Sequence, residues 1–389
     1  MTKTNLVLTV CIVRLFTGAM IASAQNQPPQ TSTNTRPPRD TTQTVASALD
    51  EIRKKFDVPG IAAAIATSKG IECLDAVGVR KTGTTVLVTT NDLWHLGSNT
   101  KAMTATLVAR FVERGVLDWD STVASLFPEL ESGFSPEARR ITVMHLLTHH
   151  SGLPDNLDWS AFRSYPDAPT ARLEALKKAL AKPLLHPPGK KHLYSNLGYV
   201  VLGAIIEKLT NKSWETVIRD DLFMPLGMHR TGFGGTGTQG QLDQPWGHYS
   251  SGKPVAQNGP QTDNPPVLGP AGRVHAPLDD WARFVVDQLR GARGEQALLK
   301  STSYAVLHNP PFDSTHAAGW IVVERDWGGG KVLNHTGCNT MNYANVWLAP
   351  NRDFAIMVCV NQGDNAAFKA TDEAVQALIR IHAARMNRD

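Results

Sequence analysis

Strand-like segments stand at the two ends of this 389-residue chain and leave its middle to helices and loops. Near the start, Val45, Leu49, Ile52 and Phe56 recur at helical spacing until Pro59-Gly60 ends the pattern. Two strand-like runs follow, "IAAAIAT" (61–67) and "IECLDAVGV" (71–79), joined at Ser68-Lys69-Gly70. Near the end, residues 317–324, 331–336, 343–349 and 354–360 read as strands, with 350–353 as a turn. A last helix carries Phe368, Val375, Leu378 and Ile379 on one face. Residues from about 138 to 270 show mostly helical and loop patterns. The arrangement predicts one sheet assembled from both termini, with a mainly helical region inserted and packed beside it, an α+β architecture without internal repeats.

The termini and composition bound the class. Residues 1–24 join basic Lys3, an apolar run from Leu6 to Ile21, and small Ala22 and Ala24, the pattern of a cleaved secretory signal. Arg14 interrupts the run, and a spanning helix needs about 20 apolar residues. Residues 25–43, rich in Pro, Gln and Thr, read as a flexible tether, leaving 44–389 as one domain in a periplasmic or secreted protein. "YVVLGAII" (199–206) reads as a buried helix, so no stable membrane span is expected. The formal charge of +4 includes Lys3 and Arg14, and a chain so near neutrality gives no footprint for nucleic acid. Cys73, Cys338 and Cys359 follow the leader without the spacing of a metal site or disulfide framework.

In "HLGSNTKAMTATLVARF" (95–111), Ser98 stands three residues before Lys101 at a helix start. Positions i and i+3 share a helix face, so a hydroxyl and an amine can meet there as nucleophile and base. The same residues also read as a helix cap followed by a surface cation. Two further stretches add weight: Tyr194, Ser195 and Asn196 before an apolar helix, and a strand running into His335, Thr336 and Gly337. His145 and His149 are spaced as zinc ligands can be, but Leu146 replaces the glutamate of His-Glu-x-x-His, and no metal is expected. The glycine-rich run 231–240 lacks a following Gly-Lys-Ser/Thr and reads as a mobile loop, not a phosphate cradle.

A Ser-x-x-Lys, a Tyr-x-Asn and a strand-borne His-Thr-Gly, in that order, resemble the serine β-lactamase and penicillin-binding-protein superfamily. The resemblance is closest to class C β-lactamases and related esterases and D-peptidases. "MHLLTHHSGLP" (144–154), "PLGMHRTGF" (225–233) and "GPAGRVHAPLDDWARF" (269–284) extend it over about 44–385. It implies a β-lactamase/transpeptidase-like fold with an antiparallel sheet flanked by helices, and acyl transfer through Ser98 without metal or organic cofactor. Lys101 or Tyr194 would take the serine proton. Asn196 would hold Lys101 and the substrate amide, or merely cap its helix. Ser98 and Cys338 would donate backbone N–H groups to the oxyanion. Gly337 would let substrate approach the strand, its alternative role being a local bulge; the thiol of Cys338 reads as incidental. Where most members carry Lys-Thr-Gly, this chain has His335, which predicts weaker carboxylate recognition unless another cation, such as Lys369, compensates. Esters, amides and D-peptides are the expected small-molecule or peptide substrates. The alternatives are a true β-lactamase or D,D-carboxypeptidase, or a non-catalytic sensor of penicillin or cell-wall fragments.

Overall fold

The computed structural model describes residues 44–250, 252–257 and 262–386; the expected leader (1–24) and tether (25–43) lie outside the described residues. Among the described residues, β1 (Gly60–Thr67) and β2 (Gly70–Gly78) from the front of the chain join β6 (Ile321–Arg325), β7 (Gly330–Cys338), β8 (Tyr343–Ala349) and β9 (Phe354–Val360) from the back. They form one antiparallel sheet in the order β2-β1-β9-β8-β7-β6. The seam between the two ends is β1 against β9, with Ile61 opposite Val360 and Ala66 opposite Ala355. The strand expected from residue 317 begins only at Ile321, because Ala317 N donates to Trp320 O at 2.9 Å and closes a turn.

Side-chain alternation assigns the two faces of β1 to two cores. Ile61, Ala63 and Ile65 pack with the Val45–Phe56 and Asn365–Met386 helices, whereas Ala62, Ala64 and Ala66 face the Thr100–Glu113 and Leu278–Ala292 helices. A strand buried on both sides has no polar alternation, which is why this run reads as continuously apolar. On the last helix Val375 and Leu378 are buried as expected, but Phe368 is exposed at the rim, its ring 6.1 Å from that of Tyr343.

A three-stranded sheet, in the order β3-β5-β4, lies nearer the site: β3 (Leu93–His95), β4 (Gly232–Phe233) and β5 (Val274–Pro277). The glycine-rich run expected as a mobile loop therefore contributes a strand, with Gly232 opposite His275. Leu96 N donates to Val274 O at 2.9 Å, fixing the chain two residues before Ser98.

Two helices of the inserted region hold the remaining wall. The Asn196–Thr210 helix is apolar and buried almost all round, as a helix surrounded by protein must be. A Cβ on its Gly203 would stand 2.3 Å from Pro270 Cγ, so glycine lets the 269–272 turn sit directly against it. Arg172, on the Ala168–Leu180 helix and 0% exposed, donates to Glu207 and Glu215 and to the carbonyls of Pro266 (2.9 Å) and Val267 (3.2 Å). Burial opposes the Arg172 charge, but the two carboxylates outweigh it and hold the guanidinium above its ordinary pKa. For Glu207 burial wins instead and raises the carboxyl despite the arginine, so this carboxylate depends on its partner for its charge.

Removing one member of a buried ion pair strands the others. Arg172→Leu is expected to cost about 3–5 kcal/mol in urea unfolding at pH 7. A loss below about 1 kcal/mol would show that the network does not hold the 266–272 segment in place.

Candidate active site

Gly97–Asn99 forms a single 3₁₀ turn and the helix proper runs Thr100–Glu113, so Ser98 does not cap it. Nor is Lys101 a surface cation: it is 0% exposed, and its Nζ contacts Ser98 Oγ (3.1 Å), Asn196 Oδ1 (2.8 Å) and the carbonyl of Ala271 (2.6 Å). The cap-and-cation alternative therefore fails on both residues. Gly97, at φ 51°, makes the left-handed turn that brings Ser98 to the helix start, and Thr100 Oγ1 ties back to Gly97 O at 2.7 Å.

The second segment corrects the expected cap. Ser195, not Asn196, caps the next helix: its Oγ accepts from Gly198 N at 3.1 Å and donates to Pro154 O at 2.6 Å. The Asn196 side chain is thereby free for Lys101. Its amide orientation follows from a chain of donors. The indole Nε1 of Trp159 can only donate, so Asn156 Oδ1, 2.8 Å away, must accept; Asn196 then offers Asn156 its Nδ2 at 3.0 Å and Lys101 its Oδ1.

Tyr194 stands with its ring centroid 4.9 Å from Lys101 Nζ and 4.3 Å from the His149 ring. His149 lies beyond the Val143–Leu147 helix at φ 62°, so it does not share a helix face with His145; its Nδ1 instead accepts Ser195 N–H at 3.0 Å. Asn156, Trp159, His149 and Ala271 were not identifiable as parts of this site from sequence. His149 and Ala271 fall within the 144–154 and 269–284 phrases, and Asn156 and Trp159 follow the first of these closely, which was the one signal that could have pointed to them.

The third segment is the end of β7. Strand β6 stops with Ile321 opposite Asn334, so residues 335–338 continue past it. A Cβ on Gly337 would lie 2.0 Å from Leu96 O and 2.7 Å from Ser98 N, and one on Gly97 would lie 2.5 Å from Cys338 N. Both glycines permit direct contact between the strand and the Ser98 turn, bringing the N–H groups of Ser98 and Cys338 together. Gly337 is no bulge, since it pairs in regular register with Ala344. The Cys338 side chain turns away, packing with the core of the Val45–Phe56 and Asn365–Met386 helices and accepting from Thr340 N at 3.2 Å. Thr336, opposite Asn345, is half-buried between Gly337 and His335.

His335 is 5% exposed, and its Nδ1 lies 2.7 Å from Thr336 O; a carbonyl only accepts, so Nδ1 carries the proton. Burial above all lowers its pKa to about 3. Lys369 does not replace the missing cation, because it is exposed on the helix packed against the opposite face of the sheet.

Burial also decides the protonation of the central pair. It pushes the Lys101 amine well below its ordinary value, and it raises the Tyr194 hydroxyl although a hydrogen bond with Ser98 opposes the shift. Both groups are thus driven toward their neutral forms. A neutral amine has two N–H groups for the carbonyls of Asn196 and Ala271, and one lone pair for a proton from Ser98.

An antiparallel sheet with flanking helices, bearing Ser-x-x-Lys against Tyr-x-Asn and the end of a strand, defines the serine β-lactamase and penicillin-binding-protein-like class of serine hydrolases. The chain belongs to the Beta-lactamase family, whose model matches residues 45–380. Penicillin-binding protein 4 of Amycolatopsis lactamdurans is 29% identical over 82% of this chain and 85% of its own length. Protein flp of Staphylococcus aureus strain N315 is 22% identical over 84% of this chain, which spans only 64% of that protein. Among solved structures, the octameric penicillin-binding protein homologue from Pyrococcus abyssi superposes with a TM-score of 0.71 at 22% identity, covering 87% of this chain and 77% of its own. SurE superposes with 0.68 at 25% identity, covering 87% and 75%. D-alanine carboxypeptidase AmpC from Burkholderia cenocepacia gives 0.68 at 21%, covering 87% and 98%.

The Lys101 shift has a thermodynamic signature. A lysine whose folded pKa is depressed binds more protons when unfolded, so it weakens the fold below its unfolded pKa and this cost fades as pH rises toward about 10.5. Wild type should therefore gain stability relative to Lys101→Met between pH 7 and pH 10 in urea unfolding. Parallel stability curves would mean that the amine is charged in the folded protein.

Proposed function

We propose that this protein is an exported serine hydrolase that cleaves esters, amides or D-peptides through an acyl-enzyme on Ser98, with Lys101 as the base. The observation that carries the reading is the setting of the Lys101 amine: fully buried, 3.1 Å from Ser98 Oγ and otherwise bound to two carbonyl oxygens, it is pushed by burial toward the form that accepts a proton, while the Tyr194 hydroxyl is pushed toward the form that gives one. As Ser98 Oγ attacks the carbonyl carbon, its proton passes to Lys101 Nζ, and the N–H groups of Ser98 and Cys338 receive the negative charge forming on oxygen. Tyr194, beside the same amine, relays a proton to the leaving group, and water then hydrolyses the ester on Ser98. Asn196 holds Lys101 and faces the substrate amide, and Gly337 and Thr336 line the strand along which substrate lies. The apolar leader pattern of residues 1–24 supports export, and mass spectrometry of secreted protein is expected to find a chain beginning near Gln25.

Neutral His335 supports the substrate class. A lysine at this position would offer a permanent cation to a substrate carboxylate, whereas the buried imidazole offers none at pH 7. Substrates without an obligatory carboxylate contact are therefore favoured over penicillins and cephalosporins.

Ser98→Ala should abolish p-nitrophenyl acetate hydrolysis without loss of fold. Lys101→Arg, which cannot deprotonate, should abolish the acylation burst, and Tyr194→Phe should slow turnover by orders of magnitude while leaving a measurable burst. A burst that survives in a Lys101 variant but vanishes in Tyr194→Phe would assign the base to tyrosine. For nitrocefin, wild-type kcat/KM should stay below about 10⁶ M⁻¹s⁻¹, and His335→Lys should move the nitrocefin-to-acetate ratio upward by at least about tenfold. Efficient nitrocefin turnover by wild type would overturn the argument from His335.

A further inference from the structure

Behind the nucleophile lies a buried polar cluster that the acyl-transfer scheme leaves unused. The Asp263 side chain has no exposed surface. Its Oδ2 meets His95 Nε2 at 2.8 Å and Arg273 Nε at 3.3 Å, and its Oδ1 accepts from Asn339 Nδ2 at 3.1 Å. A carboxylate this deep persists only where donors replace water, and each donor here comes from a different part of the fold.

The two shortest paths out of the carboxylate end beside the same pair of backbone groups. His95 closes β3, and its Nδ1 accepts Gly97 N–H at 3.1 Å. A backbone N–H can only donate, so the ring proton sits on Nε2 and points at Asp263. Gly97 is the residue before Ser98. On the other side, Asn339 is the residue after Cys338, and its Oδ1 accepts from Met341 N (3.3 Å) and Asn342 N (2.9 Å), closing the turn from β7 to β8. One carboxylate thus holds the chain immediately before one N–H group and immediately after the other.

We infer that Asp263 is a positioning residue for acyl transfer, fixing the spacing of the Ser98 and Cys338 N–H groups that receive the oxyanion. The inference deepens the reading of Ser98 as nucleophile and rests on it. Such donors lower a barrier because they are already aimed where charge develops, so loss of aim should slow chemistry and leave substrate binding intact.

Asp263→Asn preserves shape but sets an N–H₂ against either Asn339 Nδ2 or the His95 and Arg273 donors. With p-nitrophenyl acetate, kcat should fall about 10- to 100-fold with KM within about threefold. Affinity for an arylboronic acid, whose adduct on Ser98 carries an anionic oxygen, should fall alongside kcat. The exchange pair D263N/N339D restores an acceptor opposite each donor and should recover most of the lost kcat, whereas D263N with Asn339→Ala should not. Wild-type kcat in folded Asp263→Asn, a change confined to KM, or unchanged boronate affinity would overturn the inference. If Asp263→Asn does not fold, Asn339→Ser cuts one path alone; a kcat loss with KM unchanged supports the inference, and an unchanged kcat overturns it. Wild-type turnover retained in Ser98→Ala would instead sink the nucleophile reading itself.

Discussion

A lysine amine without exposed surface, and with no carboxylate among its hydrogen-bond partners, is the constraint around which this site is arranged. Burying an ammonium without an anionic partner lowers its proton affinity, and the amine still needs its N–H groups satisfied. The two carbonyl acceptors come from the inserted region and the turn beside it, Asn196 and Ala271, so that region must be rigid where it meets the Thr100–Glu113 helix. The rigidity has visible causes. Trp159 and Asn156 orient the Asn196 amide, Ser195 caps its helix, Arg172 grips the carbonyls just before the 269–272 turn, and Gly203 lets that turn close in.

The sheet delivers the other half. Gly97 and Gly337 meet at distances that admit no Cβ on either, so the strand end and the Ser98 turn are set against each other by backbone contact alone. A contact of this kind has few ways to be slightly wrong, which suits the role proposed for the two N–H groups, whose value would lie in aim. The amine is thus located from the inserted region, and the N–H groups of Ser98 and Cys338 from the sheet. Ser98 is the point at which both descriptions meet.

How far this could be seen in the sequence depends on the range of the signal. Continuous apolar strands at both termini and helical periodicity at 45–56 are local, and they led to the sheet seam and the flanking helices. Ser98, Lys101, Tyr194 and the His335–Gly337 stretch were legible because each is a short motif with its own spacing. Misreadings arose where tertiary contact overrode local preference: residues 317–320 close a turn, Gly232–Phe233 become a strand by pairing with β5, and Ser195 takes the cap that Asn196 could have made. The support network was invisible for a plainer reason. Asp263 lies 168 residues from His95 and 76 from Asn339, and no local pattern marks a polar residue whose partners are so distant.

The imidazoles around the cleft complete the electrostatic picture. The His149 ring lies tilted against that of Tyr194, His192 and His316 stack at 3.8 Å, and His335 follows on β7. Burial lowers all four, His192 to about 4 and both His316 and His335 to about 3. Each is therefore uncharged at neutral pH, although thirteen histidines in the chain suggest a cationic reserve at first sight. Under the proposed mechanism, such neutrality has two consequences that reinforce each other. Cationic histidines near Nζ would hold the Lys101 proton affinity down still further and weaken it as a base, so their neutrality preserves its ability to accept the serine proton. The same neutrality means that none of these four imidazoles offers a substrate carboxylate a fixed counter-charge, which under that mechanism favours substrates recognised by shape and by backbone hydrogen bonds along β7. Under that mechanism, basicity at Lys101 and indifference to substrate charge would be one property, produced by the depth at which these side chains are buried.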